Sequence, residues 1–66
     1  MNLKQANEYA KNGNLQGAKE TFLEVYEDTG LYEAGYNAAI LMQALEEYYD
    51  AEQLIMQTNY WGELWN

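Results

Sequence analysis

The side chains best suited to chemistry are four acids close together in the chain, Glu46, Glu47, Asp50 and Glu52. Carboxylates can hold Ca²⁺ or act as a general acid and base pair. However, the alternating acids and the fixed glycine of the twelve-residue calcium loop are missing, and no nucleophile accompanies the cluster. The sequence contains no His and no Cys. We therefore expect no enzymatic activity, no metal and no cofactor, and we interpret the acids as a solvated helix end.

The uneven distribution of charge favours some classes of binding partner and disfavours others. The net charge is -8, the only basic residues are Lys4, Lys11 and Lys19, and from Glu20 onward the chain has ten acids and no base. Such a surface repels nucleic acid and anionic membranes and favours a basic protein or peptide, although acids also serve solubility. No apolar run approaches the roughly 20 residues that span a bilayer, and the N-terminus has no charged region followed by an apolar stretch, as a signal peptide would. We expect a soluble, cytoplasmic protein.

The residues that begin and end helices divide the first half of the chain. Asn2 is a predicted N-cap, and Asn12-Gly13 ends the first helix because glycine adopts the left-handed cap conformation without strain. Asn14 caps a second helix, which stops at Gly30. The connections are short, so consecutive helices must run roughly antiparallel.

The stretch from Leu31 to Leu45 is the predicted central packing helix. Its small and apolar residues recur at helical spacing: Leu31, Ala34, Gly35, Ala38, Ala39, Leu41, Met42 and Leu45. The stripe of small residues allows neighbouring backbones to approach closely. A fourth helix follows, and the residues predicted for its buried side are Tyr48, Ala51, Leu54 and Ile55.

The junction between the third and fourth helices contains no helix-breaking residue, so two arrangements stay open. In one, the chain turns near Glu46 and closes a hairpin within one molecule. In the other, a single helix runs from Leu31 to Thr58 and its final part packs on a second copy. We favour the closed hairpin because one chain avoids the entropy cost of association.

An internal repeat with a period of 33 residues links the two halves of the chain. Small residues align with small ones and large with large: Ala6 with Ala39, Tyr9 with Met42, Leu15 with Tyr48, Ala18 with Ala51, and Phe22 with Ile55. Such a period is typical of stacked two-helix units. At these positions the chain resembles the tetratricopeptide repeat (TPR) family, as two degenerate repeats.

The resemblance implies an all-α fold of antiparallel helical hairpins, stacked as a short right-handed superhelix of four helices with a short C-terminal helical turn. A single domain would comprise residues 1–66, with unit one over 2–30, unit two over 31–58 and a capping tail over 59–66. The sequence departs from the family where Glu46 replaces the turn glycine of the second unit and where the period is 33 instead of the usual 34.

The resemblance also implies a peptide-binding surface on the first helix of each unit. The predicted groove residues are Lys4, Asn7, Lys11, Tyr36, Asn37, Ile40 and Gln43. One TPR subclass binds a C-terminal carboxylate through Asn and Lys side chains, and Asn7 and Asn37 match its Asn positions, whereas Leu3 stands where a Lys is expected. Asn7 and Asn37 are otherwise solvent-facing polar groups, and Tyr36 either contacts a peptide or packs inside the fold.

The C-terminal aromatic residues are the candidates for association. Trp61, Leu64 and Trp65 would share one helical face, which either caps the helix stack within the chain or packs on a second copy. The function predicted from the sequence is a non-catalytic interaction module, or a fragment of a longer repeat array, that binds a basic protein or peptide. The alternative is a self-assembling unit, dimeric by domain swapping or designed, without a ligand.

Overall fold

The computed structural model describes residues 2–58, and these residues form four helices. They are α1 (Leu3–Lys11), α2 (Leu15–Thr29), α3 (Tyr32–Ala44) and α4 (Tyr48–Thr58). The described part of the chain contains no strand, which confirms the all-α prediction. The predicted C-terminal turn, with Trp61, Leu64 and Trp65, lies outside the described residues.

The predicted N-caps hold the starts of the first two helices. The side-chain oxygen of Asn2 accepts a hydrogen bond of 2.9 Å from the backbone N–H of Gln5. The side chain of Asn14 accepts one of 3.0 Å from Gly17. Each bond satisfies a backbone donor that has no partner inside the helix, so the two asparagines determine locally where α1 and α2 begin.

The same backbone motif ends α1 and α3 and thereby turns both hairpins. After α1, the N–H of Gly13 donates to the carbonyl of Ala10 at 3.1 Å, and the N–H of Asn14 donates to that of Tyr9 at 2.8 Å. After α3, Glu46 donates to Gln43 at 3.0 Å and Glu47 donates to Met42 at 2.7 Å. These paired bonds define the Schellman motif.

The turn residue of this motif has a positive φ in both hairpins. It is 83° at Gly13 and 64° at Glu46, and Glu46 is the only non-glycine residue of the described part with a positive φ. Residues 13 and 46 are related by the period of 33, so the backbone turn repeats with the sequence. The described chain therefore adopts the predicted closed hairpin at Glu46, although the side chain there disfavours the left-handed conformation.

The helices pack in chain order. α2 lies between α1 and α3, and α3 lies between α2 and α4, whereas no other pair of the four makes comparable contact. The core is correspondingly built on the two inner helices, and its fully buried small residues are Ala6, Ala18, Ala34, Ala38, Ala39 and Ala51. Phe22 is also buried, and Ile55 packs against the core from α4, as predicted. The small stripe of α3 is thus the close-packed centre of the fold.

Gly35 marks the tightest approach to α3. A Cβ added at this position would lie 2.6 Å from the Cγ2 methyl of Thr58 and 3.0 Å from Cδ1 of Tyr26. The hydroxyl of Thr58 donates a hydrogen bond of 2.8 Å to the carbonyl of Ile55. This bond holds the side-chain rotamer of Thr58 and therefore the position of its methyl group. Gly35 therefore allows α2 and the end of α4 to contact α3 at the same level.

Two residues predicted for the apolar face are exposed instead. Leu31 is the N-cap residue of α3, which begins at Tyr32. Leu31 is 46% exposed. Tyr48 is the first residue of α4 and is 63% exposed. Both lie at the edge of a helix, where the helical period continues but the neighbouring helix no longer covers the side chain.

Candidate functional site

Three of the predicted groove residues lie together on α1. Lys4, Asn7 and Lys11 are exposed, and with Glu8 and Ala10 they are the described residues that border an open surface depression of about 740 Å³. The spacing of three and four residues places the three predicted side chains on one helical face. Two ammonium groups and one carboxylate leave this surface with a net charge of about +1 at neutral pH.

The other predicted residues lie on the outward face of α3. Asn37 and Gln43 are exposed, and Ile40 between them is 45% exposed. Tyr36 is partly buried and makes a polar or ring contact, so both interpretations of this residue stay open. An exposed apolar side chain among amides is suited to contact a polypeptide, because the amides can bond the backbone of the peptide beside the apolar contact.

Glu33 extends the α3 surface and was missed by the sequence reasoning. It is exposed and lies one helical turn before Asn37. Its spacing of four residues from Asn37 is a signal that could have identified it. It adds a negative charge to a face that carries no base, since no Lys or Arg occurs after Lys19.

The α1 and α3 surfaces stay separate in the described part of the chain. The described lining of the large depression belongs to α1 alone. α1 and α3 both pack against α2 and make little direct contact with each other. A ligand that uses both sets of residues must therefore extend from one helix to the other.

The acidic side chains of Glu46, Glu47, Asp50 and Glu52 are not gathered into one metal-binding group in the described part of the chain. Glu46, Asp50 and Glu52 are exposed, and Glu47 is engaged in an ion pair. Among residues 2–58, no group of three metal-ligating acids, histidines or cysteines lies close enough to hold a metal ion.

An ion pair missed by the sequence reasoning holds the turn between α3 and α4. The ammonium of Lys19 on α2 lies 2.9 Å from Oε1 of Glu47. The side chain of Lys19 is only 12% exposed and that of Glu47 is 36% exposed. No local pattern links two residues that are 28 positions apart, so only the packing of α2 against α3 could reveal the pair.

A second, more apolar depression lies at the C-terminal end of α2, away from Lys19. It has a volume of about 410 Å³ and is lined by Asn2, Leu3, Lys4, Val25, Asp28, Thr29 and Leu31. Leu3 and Leu31 are 38% and 46% exposed there. Leu31 therefore contributes to an exposed surface that is formed by α1, α2 and the start of α3.

Comparison of the chain with known protein families, with curated proteins and with solved structures finds no significant match. Within residues 2–58, the helices are too short and too polar to cross a bilayer.

Proposed function

We propose that this chain is a non-catalytic interaction module of the TPR type, which binds an extended segment of another protein across α1 and α3. One observation carries the proposal. Three predicted groove residues, Lys4, Asn7 and Lys11, lie exposed on one face of α1 and border the same open depression. The three described groove residues on α3 that are exposed, Asn37, Ile40 and Gln43, offer amides around one apolar side chain.

The repeated Schellman turns support the helical-repeat part of the proposal. Hairpin turns at residues 13 and 46 use the same hydrogen bonds at the same period as the sequence repeat. Stacked two-helix units present the first helix of each unit on one surface, and such surfaces bind polypeptides. Here those first helices are α1 and α3, and because they make little direct contact with each other, the bound segment would extend from one to the other.

The different charges of the α1 and α3 surfaces predict the orientation in which the segment binds. The α1 surface carries Lys4 and Lys11, whereas the α3 surface carries Glu33 and no base. An acidic side chain or a terminal carboxylate of the segment would lie over α1, and basic side chains would lie over α3. The partner is basic overall because the chain has a net charge of -8.

A selection experiment tests the proposal. A phage-displayed library of random peptides is panned against the full chain, and a selected peptide is titrated into ¹⁵N-labelled protein. We expect amide shifts to concentrate on residues 4–11 and 33–43. Replacing Ile40 by Ala should weaken binding about five-fold, because one exposed aliphatic contact contributes about 1 kcal/mol.

The matched control is Gln53→Ala on the outward face of α4, which should leave this affinity unchanged. Failure to select any peptide, or shifts that concentrate outside α1 and α3, would overturn the proposal. Sedimentation at several protein concentrations is run on the same sample, since a stable dimer without peptide binding favours the self-assembling alternative.

A further inference from the structure

The outward face of α4 carries a stripe of exposed side chains opposite the core. Ala51, Leu54 and Thr58 are buried on the inner side of the helix. The outer side presents four exposed residues at helical spacing: Tyr49, Glu52, Gln53 and Met56. Tyr49 is 74% exposed and Met56 is 50% exposed. Among the described helices, α4 contacts mainly α3, so no other described helix packs on its outer face.

The elements that carry and adjoin this stripe contain acidic residues and no basic ones. α3, α4 and the turn between them contain Glu33, Glu46, Glu47, Asp50 and Glu52, and no Lys or Arg occurs in them. Lys19 of α2 neutralises Glu47. Glu46, Asp50 and Glu52 are exposed and make no ion pair with another described residue.

We infer that the outward face of α4 is a second docking surface, and that its occupant is a basic amphipathic protein segment rich in Arg and Lys. A guanidinium group can stack on the exposed ring of Tyr49 while it pairs with Glu52, one turn along the same face. An aliphatic side chain of the segment would pack on Met56, whose flexible thioether adapts to irregular partners. The stripe spans two helical turns, about 10 Å, which matches one face of a short helix.

Charge selects this occupant over the others. A second copy would bring the same acids against these acids, and each copy has a net charge of -8. Nucleic acid and anionic lipid are repelled for the same reason. The α4 surface lies on a different helix from the α1 and α3 surfaces, so the inference stands independently of the proposed function.

The test uses the full chain and a synthetic probe. The probe is a helical peptide of Leu, Lys and Arg about four turns long, and its counterpart has every base replaced by Glu. In a titration of ¹⁵N-labelled protein, we expect the basic peptide to shift the amides of residues 48–57 and the acidic peptide to shift none. The double variant Tyr49→Ala, Met56→Ala should bind the basic peptide about ten-fold more weakly, because it loses one cation–π and one apolar contact.

One further variant of the α4 surface and two controls make the result decisive. Glu52→Gln should weaken binding about three-fold, whereas Glu24→Gln, an equal change of charge on the exposed surface of α2, should change it less than two-fold. Ile40→Ala, which tests the α3 surface, should leave this affinity unchanged. Far-UV circular dichroism checks that the variants keep their helices, as expected for exposed positions.

Several outcomes would overturn the inference. Equal losses for Glu24→Gln and Glu52→Gln would show that the peptide responds only to net charge. Shifts on α1 or α3 instead of α4 would place the peptide on the surface of the proposed function. A stable dimer whose interface protects α4, with no peptide binding there, would identify a second copy as the occupant.

Discussion

The ammonium of Lys19 lies 2.9 Å from the carboxylate oxygen of Glu47 and joins the N-terminal half of α2 to the turn between α3 and α4. The lysine is largely buried, whereas the glutamate is about one-third exposed. The pair therefore connects the first helical hairpin to the second at the residue that follows the strained turn position Glu46. It is the only ion pair between residues 2–58.

Breaking this pair should destabilise the fold. Lys19→Met keeps most of the buried stem, and Glu47→Gln keeps the shape of the partner, so each change removes mainly the charge. We expect each to lower the free energy of unfolding by about 1 kcal/mol, with a coupling energy of about 0.5 kcal/mol in a double-mutant cycle. Urea denaturation measures these values, and the coupling should shrink in concentrated NaCl. Strictly additive single effects would contradict the role of the pair.

Replacing the turn residue should stabilise the second hairpin. Glu46 has a φ of 64°, and a side chain with a Cβ costs about 1 kcal/mol in this conformation. Glu46→Gly should therefore raise the free energy of unfolding by about 1 kcal/mol. Glu46→Ala is the control, because it removes the same charge but keeps the Cβ, and it should give no gain.

The same variant distinguishes the closed hairpin from an exchanged dimer. A closed hairpin predicts the same mass for the parent and for Glu46→Gly. Light scattering on both proteins at several concentrations measures this mass. A parent dimer that became monomeric in the glycine variant would contradict the closed hairpin.

Adding one methyl group at Gly35 should destabilise the fold even though Ala is the better helix former. The new Cβ would overlap the Cγ2 methyl of Thr58 and press on the ring of Tyr26. We expect Gly35→Ala to cost about 1 to 2 kcal/mol in a thermal or urea melt. In the background of Thr58→Ser, which removes that methyl but keeps the hydroxyl, a substantial part of the loss should be recovered. No recovery would mean that Thr58 does not determine the close approach.

Larger residues at the two buried alanines of α2 and α4 should overpack the core. Ala18 and Ala51 have no exposed surface, and they are related by the sequence period. Leu at either position should cost about 1 to 3 kcal/mol. Ala44→Leu, at an exposed position near the end of α3, serves as the control and should change stability by about 0.5 kcal/mol or less. Unchanged melting temperatures for both buried variants would contradict the repeat register.

Local sequence patterns predict the features of this fold that depend on a few neighbouring residues. The caps of Asn2 and Asn14 and the left-handed turn at Gly13 follow from local hydrogen bonding and from the steric freedom of glycine. The buried stripe of α3 follows from helical periodicity over four turns. The predicted residues of α1 also share one face because their spacing is helical.

Other features depend on which helices pack against each other, and these could not be predicted from local patterns. Glu46 adopts a glycine-like φ because α3 and α4 must pack side by side, and that packing overrides the preference of the residue. Leu31 and Tyr48 are exposed because the described neighbouring helices leave much of each residue uncovered, although their periodicity matches the core. The pairing of Lys19 with Glu47 and the outward position of Tyr49 have the same origin. Burial at the ends of helices and ion pairing between helices depend on contacts distant in sequence, which local periodicity does not specify.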